Sequence, residues 1–286
     1  MELRRYTDVD AFLDAATPYL VEREAEHNLI FGVASTLRED PHQYTGPAYL
    51  ATVHDGDRVV MAALRTPPFS LVLSESDDPG ATRLLAHDTL ESDLPRVQGP
   101  VEVVQEFVAA RQSFGGPAAE LVLGERIYRL TEVIRPRPVT GFMRVAQPAD
   151  RALIAQWVYD FMREALDEDD RPSAELSADR WIAGRGSSLY LWEDGGAIVS
   201  LAGVRGPTPR GIRVGPVYTP LNLRGRGYAS ALVAGASQAQ LDSGRTFVFL
   251  FTNIANPTAN RIYQAIGYRH VRDIDVYEFE GHPGGH

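Results

Sequence analysis

Apolar positions recur along this chain with two periods, and the switches between them mark its elements. Small or apolar residues at Ala229, Leu232, Val233, Ala236 and Leu241 fall on one face at helical spacing, and Gly244 stands where a helix would close. The unbroken β-branched and aromatic run from Thr246 to Thr252 predicts a strand covered on both faces. Asn253-Ile254-Ala255-Asn256-Pro257 then turns the chain, with Asn256 suited to cap a helix and Pro257 to open it. That short helix carries Asn260 and Tyr263 before Gly267 ends it, and a last strand is expected near Ile274–Phe279.

The pattern of the first half returns in the second. Leu3-Arg4-Arg5 lies over Met143-Arg144-Val145 at an offset of 140 residues, and the same offset places Asp10 over Asp150 and Leu13 over Leu153. Each pair opens an amphipathic helix. A β-hairpin with an Asp-Gly turn is expected from Tyr49 to Ala62, and its counterpart runs from Leu189 to Leu201 at an offset of 139. A near-constant offset across two elements favours a duplication. Any two α/β domains share helix and hairpin patterns, which is the plainer alternative. Arg135-Pro136-Arg137-Pro138 reads as a stiff, extended linker between residues 1–138 and 139–286.

One segment breaks the repeat and speaks chemistry. Val214-Gly215-Pro216-Val217-Tyr218-Thr219-Pro220 reads as a short buried strand. Arg224-Gly225-Arg226-Gly227-Tyr228-Ala229-Ser230 follows as a tight loop and a helix start. Such a loop turns consecutive backbone N–H groups toward one point, and the helix dipole adds positive potential there. Glycines let the backbone approach an anion, and Arg224 and Arg226 add charge. The combination would seat a pyrophosphate. Gly-x-Gly alone is weak, because 25 glycines in 286 residues produce about two such triplets by chance. Gly184-Arg185-Gly186 is the same tripeptide with no such strand before it. A dinucleotide fingerprint fails at Ser230, where glycine or alanine is required, and a P-loop fails because the chain has no lysine. The first half has no such loop: its hairpin leads into Arg65-Thr66-Pro67-Pro68-Phe69-Ser70.

Composition narrows the choices. Apolar content of 44% and a mean hydropathy of −0.20 describe a globular chain with enough material for a core. Residues 1–8 lack the apolar segment of a signal peptide and no run reaches membrane-spanning length, so the expectation is a cytoplasmic protein without a membrane partner. Zero cysteine removes disulfides, thiol nucleophiles and thiolate metal sites. The seven histidines show no metal-ligand spacing, and no metal is expected. A net charge of −10 argues against nucleic acid as partner.

The order of strand, R-G-x-G-x-A loop, helix, strand, N-x-x-x-N-x-x-Y helix and G-Y resembles the GNAT superfamily of acyl-CoA-dependent N-acetyltransferases. The resemblance covers roughly residues 140–280 and is specific in combination. It implies an α/β fold with a mixed sheet flanked by helices. With the repeat, it implies two such domains in tandem, the first degenerate and without the cofactor loop. It further implies acetyl-CoA as cosubstrate and direct attack by a primary amine of a small molecule or peptide in a ternary complex. Val217, Tyr218 and Thr219 would then offer backbone groups to the pantetheine and the acyl carbonyl. Arg224, Gly225, Arg226, Gly227, Tyr228, Ala229 and Ser230 would hold the pyrophosphate, and Asn253 and Asn256 would meet the pantetheine. Pro216 cannot donate a ladder bond, which suits a strand that bulges and parts from its neighbour.

Tyr263 matches the family tyrosine that protonates the leaving thiolate; its plainer reading is a core aromatic. The general base departs from the commonest pattern, since Arg213-Val214-Gly215-Pro216 lacks the usual glutamate. Glu193 is one candidate base and a water chain the other. The acidic run Glu164-Ala165-Leu166-Asp167-Glu168-Asp169-Asp170 would attract a cationic amine, or is a solvated loop. Two other classes stay open: a non-catalytic acyl-CoA-binding sensor, and a tandem-GNAT aminoacyltransferase fed by aminoacyl-tRNA. A homodimer is also left open.

Overall fold

The computed structural model describes residues 1–41, 44–166, 169–184 and 186–281. In the first half the elements are β1 (Glu2–Tyr6), α1 (Val9–Leu20), α2 (Asn28–Glu39), β2 (Tyr49–Asp55), β3 (Arg58–Arg65) and β4 (Leu71–Leu73). They are followed by α3 (Pro79–Asp88), β5 (Arg96–Pro100), α4 (Val101–Ser113) and β6 (Ala119–Leu130). The second half repeats this order as β7 (Phe142–Val145), α5 (Arg151–Phe161), α6 (Arg171–Ala183), β8 (Ser188–Asp194), β9 (Ala197–Arg205) and β10 (Gly211–Tyr218). It closes with α7 (Tyr228–Asp242), β11 (Phe247–Asn253), α8 (Pro257–Ile266) and β12 (Arg269–Phe279).

Both hairpins form as expected, with Gly56 and Gly195 of their Asp-Gly turns at φ +60° and +59°. The last strand starts five residues earlier than its apolar stretch indicates, because Arg269–Asp273, polar except at Val271, is also extended. Residues 133–139 carry no regular structure, as expected of the Arg-Pro segment.

Two compact units make up the chain, and they do not follow a division at residue 138. The first holds residues 1–127, 252–255 and, from residue 270, the final strand; the second holds residues 128–251 and 256–269. In the first unit the strand order is β1-β2-β3-β4-β5-β12. The chain's last strand thus lies antiparallel to β5, with Ile274 opposite Pro100 and Glu278 opposite Arg96. Helices cover both faces of this sheet. Phe12, Leu20, Ile30 and Phe31 of α1 and α2 pack on Leu50, Leu64 and Val72. On the other face Leu85, Val104 and Phe107 of α3 and α4 pack on Val53, Met61, Leu71, Val97 and Phe279.

The second unit is a mixed sheet in the order β7-β8-β9-β10-β11, antiparallel except for the parallel pair β10–β11. The period-two pattern of β8 sorts its side chains between two helical layers. Leu189 and Leu191 join Ile154, Trp157, Ala178 and Trp181 of α5 and α6. Tyr190 joins Leu232, Val233 and Ile266 of α7 and α8.

Candidate active site

β10 is the element on which the site depends. Its parallel ladder with β11 runs from Gly211 opposite Phe247 to Val214 opposite Leu250 and stops there. On its other side the register with β9 slips between Val214 and Val217, and Gly215 sits at φ +148°. Pro216, without an N–H, occupies the slip, as its chemistry predicts. Residues Gly215–Tyr218 therefore have no ladder partner on the β11 side.

The free strand end is braced from elsewhere. The buried hydroxyl of Ser200 donates to the Tyr218 carbonyl at 3.1 Å and meets the Thr219 hydroxyl at 2.8 Å. Tyr218 packs against Trp157 with ring centroids 6.0 Å apart. Burial, with the carboxylates of Asp160 and Glu164 nearby, pushes the Tyr218 hydroxyl above its ordinary pKa. Ser200 carries no motif; only the register of β9 against β10 brings it here.

The loop after β10 has the form expected of an anion seat. Gly225 and Gly227 adopt φ +78° and +87°, conformations that favour glycine. The first helical bond of α7 runs from the Ala231 N–H to the Gly227 carbonyl at 3.0 Å, and no side chain caps this end. Among the described residues, the N–H groups of Gly225, Arg226, Gly227, Tyr228, Ala229 and Ser230 find no acceptor. Six consecutive free donors at a helix N-terminus, on an exposed glycine loop, fit a pyrophosphate. This fit uses the backbone.

The side chains are disposed differently from expectation. Arg224 does not project as a free cation: its Nε donates to the Thr219 carbonyl at 2.8 Å, and its two terminal nitrogens meet Glu164 at 2.5 and 2.7 Å. Tyr228 is buried and its hydroxyl donates to Asp194 at 2.6 Å. Arg226 remains exposed, with one long contact of 3.3 Å to the Asn222 carbonyl. Val139 approaches Gly227 from the side, so that a Cβ there would lie 2.9 Å from its Cγ1.

Asn256 caps α8 as expected, accepting from the Ala259 N–H at 3.0 Å, and Pro257 opens the helix. Asn253 belongs to the first unit, where its carboxamide oxygen accepts from the Ala255 N–H at 2.7 Å. Tyr263 is half-buried against the α7–α8 core and sits edge-on to Tyr268 at 6.0 Å. Its hydroxyl has no hydrogen bond among the described residues, and burial pushes its pKa up to about 12. The phenol is therefore fully protonated at neutral pH.

Glu193 is committed elsewhere. Its carboxylate accepts from Arg144 Nε at 2.9 Å, while the rest of that guanidinium grips Asp150 at 2.7 and 2.8 Å. It stands opposite Ile198, beyond the row Leu191–Leu201–Tyr218 that runs across the three strands. The acidic run is likewise mostly used. Glu164 holds Arg224, Asp169 accepts from the Tyr159 hydroxyl at 2.5 Å, and Asp170 caps α6 through Ser173. Asp167 and Glu168 lie outside the described residues, as does Arg185 of the second Gly-Arg-Gly triplet. Among the described residues no group of three or more His, Cys, Asp or Glu could hold a metal, and no helix is long and apolar enough to cross a membrane.

Comparison with known proteins bears on the family and the fold. The sequence model of the acetyltransferase (GNAT) family matches residues 153–268, which contain the parting strand, the amide-rich loop and the Tyr263 helix. No curated protein matches the chain. Among solved structures, a GNAT-family acetyltransferase from Colwellia psychrerythraea is 10% identical with a TM-score of 0.60, over 98% of this chain and 100% of that one. A Drosophila protein is 15% identical with a TM-score of 0.68, over 97% and 98%. A GCN5-related N-acetyltransferase from Sphaerobacter thermophilus is 18% identical with a TM-score of 0.58, over 96% and 94%. The shared fold thus extends over nearly the whole chain, and residues 153–268 match the model of the GNAT acetyltransferase family, whose general chemistry is acyl transfer.

Proposed function

We propose that this protein is an acyl-CoA-dependent N-acetyltransferase that passes an acetyl group to a primary amine of a small molecule or peptide in a ternary complex. The observation that carries the reading is the parting of β10 from β11 after Val214, beside six free amides at the start of α7. A slot and an anion seat side by side suit a ligand with a narrow arm and a pyrophosphate. Acetyl-CoA, when bound, supplies the activated acyl group. The amides of residues 225–230 and the exposed Arg226 would hold its phosphates, and the free edge of Val217–Thr219 would line its arm.

The chain's own part in the chemistry is small and specific. Tyr263 keeps a proton at neutral pH for the leaving sulfur. A phenol near 12 gives up that proton reluctantly, so it serves chiefly as a hydrogen-bond donor. The Glu193 carboxylate is engaged by Arg144 and stands opposite Ile198, beyond the Leu191–Leu201–Tyr218 row, which favours deprotonation of the amine through water. That same engagement is the one observation in favour of a non-catalytic acyl-CoA-binding module.

The test is calorimetric titration of the full chain with acetyl-CoA, followed by an amine screen read by release of free thiol. One site per chain and turnover with at least one amine are expected. Binding without turnover across the screen selects the sensor reading, and absence of binding overturns both. Tyr263→Phe should lower kcat by about ten- to a hundredfold with little change in acetyl-CoA affinity. Activity within about twofold of wild type would make Tyr263 a packing residue.

A further inference from the structure

The acyl-CoA reading of this site leaves a cation unaccounted for. Arg224 opens the R-G-x-G loop, yet every nitrogen of its guanidinium is engaged within the protein. Nε donates to the Thr219 carbonyl at 2.8 Å, and the two terminal nitrogens clamp both oxygens of Glu164 at 2.5 and 2.7 Å. The guanidinium carbon also lies 5.8 Å from the centre of the Tyr218 ring. Three of its five N–H donors, one on each nitrogen, are thus held by a carbonyl and a carboxylate of the protein itself, and this planar fork fixes the guanidinium in place.

We propose that Arg224 is a positioning residue, locked by Glu164, that sets the free end of β10, and that Arg226 is the cation which meets the pyrophosphate; both roles rest on the acyl-CoA reading. The physical need is plain. Past Val214 the strand has lost its β11 partner, and its last residues would otherwise be held on one side only. Arg224 restrains the Thr219 carbonyl and the Tyr218 ring at the tip of that edge. Glu164 in turn sits on the π-helical turn Met162–Leu166 at the end of α5, so it fixes the guanidinium from a second element. The pair therefore holds the strand edge on which a pantetheine arm would rest. Arg226, by contrast, keeps its charge exposed beside the free amides.

Competition calorimetry on the full-length chain separates these roles, with acetyl-CoA and with 3′-phospho-ADP, the nucleotide half of coenzyme A without its pantetheine. R224Q and E164Q should each weaken acetyl-CoA about tenfold, and the double variant should be no worse than either single one. The affinity for 3′-phospho-ADP should stay within about twofold of wild type in all three, while R226Q weakens both ligands by about the same factor. The three substituted positions lie at the surface, and melting curves near wild type establish that the variants fold. The proposal is overturned if R224Q weakens 3′-phospho-ADP as much as acetyl-CoA, or if E164Q leaves acetyl-CoA affinity unchanged. A wild-type chain that binds neither ligand overturns the acyl-CoA reading itself, and this assignment with it.

Discussion

His27 is a buried imidazole whose two nitrogens are assigned opposite duties by the backbone. Nδ1 donates to the Leu20 carbonyl at 2.9 Å, and Nε2 accepts from the Glu75 N–H at 3.1 Å. That pairing requires the neutral ring. A second proton would have to displace the Glu75 N–H, in a place already shielded from water and close to Arg23. Burial accordingly draws the pKa down from 6.5 to about 4. In the unfolded chain His27 takes up its proton near pH 6.5, whereas in the folded chain it waits until about pH 4. The stability it contributes is complete above the higher value and is lost as pH falls toward the lower one, by up to about 3 kcal/mol. Denaturant unfolding at pH 7 and at pH 5 should show this loss in the wild type and a smaller one in His27→Gln. Equal pH sensitivity in the two proteins would mean that other groups govern the acid limb.

Elements divide by how their causes are spaced along the chain. The caps of α8, the Asp-Gly hairpins and the glycine loop before α7 rest on neighbours a few residues apart, and each was legible in the sequence. Pro216 at the slip in β10 was legible for the same reason, since a missing N–H is a property of one residue. The engagement of Arg224 by Glu164 was not. It joins residues 60 positions apart, and nothing in Arg-Gly-Arg-Gly says which arginine turns inward. Ser200 and Asp194 escaped likewise, because only strand register and a buried tyrosine bring them to the site. The start of α7 offers the sharpest test at this scale. Gly227 sits at φ +87° and a Cβ would lie 2.9 Å from Val139. Gly227→Val therefore strains the backbone and presses on the segment beside it, at the point where the free amides converge. Acetyl-CoA affinity should drop at least tenfold, with a loss of stability of about 1–3 kcal/mol. Wild-type affinity in a folded variant would remove the loop from the binding site.

At the scale of the molecule, the division of the chain is what periodicity could not disclose. The repeat of element order was visible in the offsets of 140 and 139, but an order of elements does not say which sheet a strand joins. β12 is the final strand of the second repeat, and it is built into the first unit. Phe279 is 1% exposed in the first core, with Arg111 stacked 4.9 Å from its ring centre. Arg96 pairs with Glu278, and Arg272 reaches Glu75 and Glu102. Phe279→Ala should cost about 3–5 kcal/mol, read by denaturant unfolding, and should destabilise residues 1–127 although it lies at the far end of the chain. Hydrogen exchange that loosens only the second unit would contradict this placement.

Translation runs in one direction, and the placement of β12 sets a clock on it. A ribosome that has released residues 1–127 has made almost all of the first unit except the strand that lies against β5. At roughly 5–20 residues per second, the remaining stretch takes on the order of ten to thirty seconds. Throughout that interval the core is without Phe279, and β5 is without the strand that finally pairs with it. Unpaired strand edges invite foreign partners. The first unit is therefore completed only after the second has been made, and β5 keeps an open edge until β12 emerges.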